Sequence, residues 1–288
     1  MLLTIRQDNT PLQFDFSKRA CIMGVLNVTP DSFSDGGVNF SLNKAVQRAL
    51  QMVEDGADII DIGGESTRPG AEPLAAGEEL GRVVPVIKEI RKQSSVPISI
   101  DTYKASVALS ALDEGADIVN DISGLRADPV MARAVAGRGA VVVLMHMKGT
   151  PKDMQKDIHY EALIPEILDC LRDSIRMAVD AGTAPDRIIV DPGIGFGKNY
   201  DQNLEILKNL EMFQGLGKPV LAGVSRKAFI GKILGGAPPS DRLEGTLAAV
   251  AISVLNGANI VRVHDVKEAA KAVKVADAVK RQRVQEIF

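Results

Sequence analysis

The sequence predicts an α/β fold, a (β/α)8 barrel preceded by a short N-terminal β-hairpin, and three observations carry that expectation. The first is a repeat. At Gly56-Ala57-Asp58, Gly115-Ala116-Asp117 and Gly257-Ala258-Asn259 a helical stretch ends in Gly-Ala, an acidic or amide residue follows, and an apolar run begins. Glycine accepts the left-handed backbone that ends a helix, and the Ile- and Val-rich run suits a parallel strand covered on both faces. The second is the count: extending the unit yields eight candidate strands, most followed by an amphipathic helical stretch, and eight such units close a barrel. The third is size, since 288 residues, 45% of them hydrophobic, suffice for one large core and fall in the usual range of a single barrel.

Taken in order, Thr4 to Phe16 read as a small hairpin, with residues 1–19 forming a cap before the first strand. The strands begin near Ala20, Asp58, Val96, Asp117, Ala140, Arg187, Pro219 and Asn259. Their apolar runs stop, respectively, at Asn27, at Asp61, at Asp101, at Asn120, at Met145-His146, at Asp191, at Ser225 after Gly223, and at Arg262 with His264. In a barrel all these ends face one rim, the rim at which barrel enzymes hold substrates. Helix capping accounts for one or two polar strand ends but poorly for eight. No stretch has the composition of a linker, so residues 1–288 read as one domain, although the length also admits two smaller ones.

Composition narrows the function. The net charge of -3, with acids and bases interspersed, offers no basic patch for a nucleic-acid backbone. Met1 to Ser17 has neither a basic leader nor a continuous apolar segment, so no membrane partner and a cytoplasmic location are expected. The two cysteines, Cys21 in an apolar run and Cys170 in a helical pattern, read as buried thiols of a reducing compartment.

Two connections are long and rich in glycine and small hydroxyls: Asn27 to Gly37 after the first strand, and Gly63 to Ala71, with Arg68 in its middle, after the second. A pair of such loops beside a polar rim can close over a substrate and exclude water.

The string from Gly24 to Gly37 and the Gly63–Ala71 loop resemble the signatures of the dihydropteroate synthase family. The resemblance continues through Asp101-Thr102, Asn120 to Gly124, Met145 to Pro151, Asp191 to Lys198, Ser225-Arg226-Lys227 and Arg262-Val263-His264, in order and over essentially the whole chain. It implies a transferase that joins hydroxymethyl-dihydropterin pyrophosphate to p-aminobenzoate. The pterin site implied is Asp101, Asn120, Ile122, Met145, Asp191, Phe196, Lys227 and Arg262. Its chemistry is sensible: the Asp191 carboxylate can accept two adjacent N–H donors of the ring, Asn120 both donates and accepts, and Lys227 donates to the ring carbonyl. Asn27, Thr67, Arg68, Arg262 and His264 are implied to meet the pyrophosphate, with Asn27 on a magnesium ion. Phe33, Pro69, Phe196, Ser225 and Lys227 are implied around p-aminobenzoate, whose carboxylate Ser225 and the following helix start are suited to seat. Asp101, Lys227, Arg262, His264, Asp35 and Arg68 form the expected catalytic set, Asp35 and Arg68 pairing across the closed loops. A homodimer is also implied.

Other readings compete. Asp191 can cap a turn, His264 can begin a helix, and Asp35 and Arg68 can be solvated surface charges. A pterin-binding methyltransferase would share the barrel but has no pyrophosphate to hold, so it leaves Arg262 with His264 unexplained. Lys227 as a Schiff-base nucleophile and a non-catalytic pterin binder are the remaining alternatives. Gly193 to Lys198 has the look of a phosphate-binding loop but lacks its spacing and its Ser/Thr, and His146 has no neighbours at zinc-ligand spacing.

Overall fold

Residues 1–6, 12–29, 37–68, 70–156 and 158–282 are described by the structure, a computed structural model. Strands β1 (Leu2–Arg6) and β2 (Leu12–Asp15) pair antiparallel as the expected hairpin. Strand and helix then alternate: β3 (Cys21–Asn27), α1 (Gly37–Glu54), β4 (Ile59–Gly63), α2 (Ala76–Gln93), β5 (Ile98–Asp101), α3 (Ala105–Asp113), β6 (Ile118–Asp121), α4 (Met131–Arg138), β7 (Val141–Met145) and α5 (Leu163–Asp180). The series continues with β8 (Ile188–Asp191), α6 (Tyr200–Lys208), β9 (Leu221–Ala222), α7 (Ala228–Ile233), α8 (Leu243–Leu255), β10 (Ile260–Val263) and α9 (Val266–Arg281). Each barrel strand starts within two residues of the place its sequence indicates.

The eight barrel strands are parallel, in the order β8-β7-β6-β5-β4-β3-β10-β9. A parallel bridge between Val190 and Val220, with the Val190 amide 2.9 Å from the Pro219 carbonyl, joins the two ends of the sheet and closes the ring. Strand side chains alternate between faces. Ile22, Ile60, Ile62, Val142 and Leu144 pack outward under the helices. Cys21, Met23, Ile59, Ile118, Val141, Val143, Ile189, Leu221 and Ile260 fill the interior, which Leu3, Ile5 and Phe16 of the hairpin segment plug from below. By the same alternation the next inward positions are Asp61, Ser99, Asp101, Asn120, Met145, Asp191 and Arg262. The interior therefore changes from apolar to polar partway up the barrel.

The Gly-Ala repeat proves to be a two-part device. Gly56, Gly115 and Gly257 take φ of 107°, 105° and 113°, a left-handed backbone that a Cβ would disfavour. The alanine after each sends its amide back to the helix, to the carbonyls of Met52, Ala111 and Ser253 at 2.8–2.9 Å, which closes a Schellman-type cap. The third residue then clamps a neighbouring strand at two points. The Asp58 amide donates to the Ile22 carbonyl while its carboxylate accepts from the Ile22 amide, both at 2.8 Å. Asp117 does the same to Ile98, and Asn259 to Val220. Arg19 and Arg91 add ion pairs to Asp58 and Asp117.

Two expectations need correction. Cys21 is buried, but Cys170 is only half-buried on α5. Asp61 does not end its strand: β4 runs on to Gly63, and Asp61 lies inside the barrel with no exposed surface.

The clamp makes a stability prediction. Asp117→Ala removes the acceptor of the Ile98 amide and the partner of Arg91 and should lower the unfolding free energy by about 2–3 kcal/mol. Asp117→Asn keeps one acceptor and should lose less. Urea midpoints at unchanged m-value measure both; equal losses for Ala and Asn would show that the amide acceptor contributes nothing.

Candidate active site

At the apolar-to-polar boundary stands Arg262, in the last strand, β10. Its Nε donates to Asp61 Oδ2 and an Nη to Asp101 Oδ2, each at 2.6 Å. The Asn120 amide donates to the same Asp61 oxygen at 3.2 Å. One cation thus ties β10 to β4 and β5, and Asp61 fixes which way Asn120 faces. Burial outweighs the guanidinium at Asp101 and pushes its carboxyl up to about 7, while the two carboxylates hold Arg262 firmly protonated.

Across the cleft, Asp191 ends β8. One of its carboxylate oxygens accepts the Gly193 amide at 2.7 Å, so the turn-capping role is real, and the other remains for a ligand. Lys227 faces it from the turn between β9 and α7, with Nζ 4.2 Å from the centre of the Phe196 ring. Burial raises Asp191 and pulls Lys227 down to about 8, and the opposite charge of each partly offsets the shift of the other. Together with Asp101, Asn120, Ile122, Met145, Phe196 and Arg262 they line a narrow cleft that opens to solvent. All eight residues expected at a pterin are there, joined by Ile194 and Gly223, which sequence reasoning missed.

Beside this cleft His264 follows β10. The Ser225 hydroxyl accepts the His264 amide at 3.2 Å and lies 2.9 Å from the ring Nδ1. Burial and the neighbouring Arg262 bring His264 down to about 4, so at neutral pH the ring is uncharged. Ser225 thus holds His264 in place beside the cleft. Between Ser225 and Lys227, Arg226 turns the chain at φ 58°, held by a two-point pair with Asp265 at 2.6 and 3.0 Å and by its amide on Thr246.

Asn27 ends β3 in register with Gly63, Asp101 and Asn120 of the next three strands. A Cβ at Gly63 would stand 3.7 Å from Asp101 Oδ2 and 3.9 Å from Asn27 Oδ1, so glycine keeps the space between these oxygens clear. No group of three or more His, Cys, Asp or Glu able to hold a metal occurs among the described residues. The oxygen donors present therefore suit a hard cation that brings most of its ligands with it as water and substrate oxygens, which is the habit of magnesium.

The loop after β4 is rooted by charge. Glu65 pairs with Lys104 and accepts from the Tyr103 hydroxyl at 2.5 Å, and Lys104 reaches the buried Glu79 of α2 at 2.5 Å. Thr67 is half-buried and Arg68 exposed above this root. Phe33, Asp35 and Pro69 lie outside the described residues, as does the proposed pairing of Asp35 with Arg68.

Residues 23–264 match the model of the family described as pterin binding enzyme. A dihydropteroate synthase of Bacillus subtilis is 50% identical over 269 residues, covering 93% of this chain and 92% of that protein. The chain belongs to the dihydropteroate synthase family of pterin binding enzymes. Among solved structures of the family, a Clostridium difficile dihydropteroate synthase crystallised in the presence of pteroic acid superposes with a TM-score of 0.88 at 48% identity, covering 93% of this chain and 99% of that one. A Yersinia pestis dihydropteroate synthase in complex with a sulfonamide drug gives 0.90 at 42% identity, covering 97% and 100%.

The Asp61–Arg262 pair can be tested in this family member by a double-mutant cycle. Asp61→Asn and Arg262→Met should each lower the unfolding free energy by about 2–4 kcal/mol, because each leaves a buried charge short of its partner. The double variant should lose clearly less than the sum; strict additivity in urea melts would show that the two side chains are not coupled.

Proposed function

We infer that the chain catalyses the synthesis of dihydropteroate from hydroxymethyl-dihydropterin pyrophosphate and p-aminobenzoate, with release of pyrophosphate. The observation that carries this reading is the convergence of Asp101, Asn120, Asp191, Lys227 and Arg262 in one cleft, in a chain half-identical to a dihydropteroate synthase. Pteroic acid joins the pterin and p-aminobenzoate halves in one molecule, so its use with the Clostridium difficile relative supports both substrates. Arg262 beside a neutral His264 supplies anion-binding donors that a methyl transfer does not require.

The mechanism follows from charge. The carbon–oxygen bond to pyrophosphate breaks first, the electron-rich dihydropterin spreads the positive charge left on its exocyclic carbon, and the neutral aromatic amine then adds and loses a proton to solvent. No strong base is required for that addition. Asp191, Asn120 and Lys227 orient the ring edge, Met145, Ile122 and Phe196 enclose it, and Arg262 lies against its face. Asp101, as a carboxylate, stabilises the developing cation. Arg262 and His264, with Thr67, Arg68 and Asn27, receive the departing pyrophosphate. Asn27 would hold a magnesium ion, which would supply charge neutralisation at the leaving group. Phe33, Pro69, Phe196, Ser225 and Lys227 are assigned to p-aminobenzoate, and Asp35 and Arg68 to a pair across the two loops. A sulfonamide that imitates p-aminobenzoate should occupy the same place.

The reading extends to organisation. Residues 1–288 form one pterin-binding domain capped by residues 1–19. The chain pairs as a homodimer, supported by Ile252 and Leu255 on α8 and Val275 and Val279 on α9, which expose 43–66% of their surface. It works in the cytoplasm; among the described residues no helix is long and apolar enough to cross a membrane.

Purified protein given the pterin pyrophosphate and magnesium should release pyrophosphate in step with dihydropteroate when p-aminobenzoate is present. Binding of the pterin with no dihydropteroate at any magnesium concentration would refute the activity. Asp101 adds a pH signature. Because its carboxyl is held at about 7, it is neutral on the acid side and charged on the alkaline side, so kcat/KM should rise as pH passes about 7. Asp101→Asn should flatten that rise and lower kcat roughly 100-fold; a rise that survives in Asp101→Asn removes Asp101 from this role.

A further inference from the structure

Lys198 is among the largest fully buried side chains of the molecule, at 2% exposure, and no step of the reaction above uses it. Its ammonium is enclosed by main chain. Nζ donates to the carbonyls of His146 at 3.0 Å, Gly193 at 2.9 Å and Phe196 at 2.9 Å, and stands 2.9 Å from His146 Nδ1. Burial and the nearby Lys198 charge lower His146 to about 2, so its ring stays neutral and Nδ1 can accept. Three N–H donors then meet four acceptors, an arrangement that suits a cation and would leave several carbonyls orphaned without one.

The turn between β8 and α6 is shaped around this head group. Gly193 takes φ 72°, and a Cβ there would fall 1.9 Å from the His146 carbonyl oxygen and 3.0 Å from Lys198 Nζ. Gly193 also couples the head group to the cleft, since its amide donates to the Asp191 carboxylate while its carbonyl accepts from Lys198. Phe196 is fixed on the same cation through its carbonyl, and its ring lies beneath Lys227.

We propose that Lys198 is a positioning residue of the pterin cleft, whose enclosed charge folds the Gly193–Gly197 turn around itself, sets the Phe196 ring under Lys227 and, through Gly193, holds the Asp191 carboxylate in place. The inference rests on pterin being the ligand of this cleft. The titratable and charged groups facing the ammonium are His146 from the end of β7, Asp191 from β8, Lys227 from the β9–α7 turn and Cys170 from α5. Those acting on Asp191 are Lys227, Lys198 and Arg262, all of which oppose the rise that burial imposes on it. Burial draws Lys198 itself down to about 7, so its charge is complete on the acid side, where Asp191 takes up its proton.

The experiment is a titration of hydroxymethylpterin binding against pH for the full-length wild type, Lys198→Met and Lys198→Gln, with folding checked by thermal melts. In the wild type, affinity falls on the acid side as Asp191 is neutralised. Without the Lys198 charge that fall should begin at higher pH, by about one unit, in both variants. Glutamine, which restores hydrogen bonds to the turn but no charge, should recover melting temperature more than it recovers the acid limb. Folded variants whose acid limb coincides with the wild type would overturn the proposal and leave Lys198 a purely structural cation. Should neither variant fold, the wild type decides: by reciprocity of linkage, saturating pterin must raise the pH at which the Lys198 ε-carbon titrates by NMR, and an unmoved titration overturns the proposal. Wild-type protein that binds no pterin at any pH would instead refute the functional reading, a separate outcome.

Discussion

The Arg262 guanidinium enters a barrel interior whose lower part is filled by Met23, Ile59, Ile118 and Val143, and it is tolerable there only because Asp61 and Asp101 meet it at 2.6 Å. That constraint propagates. Asp61 has to be buried to reach the guanidinium, and once buried it also takes the Asn120 amide, so the direction in which Asn120 faces the cleft is settled by a residue that does not line it. Asp101 keeps one oxygen on Arg262 and has no protein partner for the other among the described residues. A ring of polar groups is thereby built on top of an apolar plug with a single cation as its keystone.

Burial then acts on every titratable group of the cleft in the same sense, toward its neutral form. Asp101 and Asp191 rise, Lys227 and His264 fall, and only the guanidinium, which does not deprotonate in proteins, resists. The result is a site in which Asp101 and Lys227 are poised near neutrality and respond to the charge of their neighbours. Such a site suits a reaction whose central event is charge separation between a pterin cation and a pyrophosphate anion, because small changes in neighbouring charge alter the stabilisation of both.

Much of this was legible in sequence because parallel strands obey a period of two and barrel enzymes work at one rim. Eight apolar runs ending in Asn, Asp, Met-His, Ser or Arg pointed to the rim, and the pterin residues that the family resemblance implied line the cleft there. What stayed hidden depended on stagger between distant strands or on burial of helical charges. Asp61 was visible as a polar strand residue, but its bond to Arg262, 201 positions away, needs the register of β10 against β3 and β4. Glu79 reads as a surface acid in a helix, and only the fold shows it at no exposure against Lys104. Lys198 sits in a glycine-rich string that looks made for an anion, yet the carbonyls of Gly193 and Phe196, not amides, turn toward its centre, and carbonyls call for a cation.

The two ends of the barrel divide the labour. At the lower rim one device is used three times, at Asp58, Asp117 and Asn259, each residue holding the edge of a neighbouring strand by two hydrogen bonds. Repetition there is possible because every αβ unit poses the same problem, a helix to end and a strand to align. At the upper rim no such device repeats: Arg262 bridges two carboxylates, Asp191 takes the Gly193 amide, and His264 rests on Ser225. A repeated motif in this chain therefore marks architecture, and the unrepeated residue on the same face at the other end of the strand marks chemistry. By that criterion Lys198, unique in its turn and enclosed within it, belongs with the upper rim although it does not line the cleft.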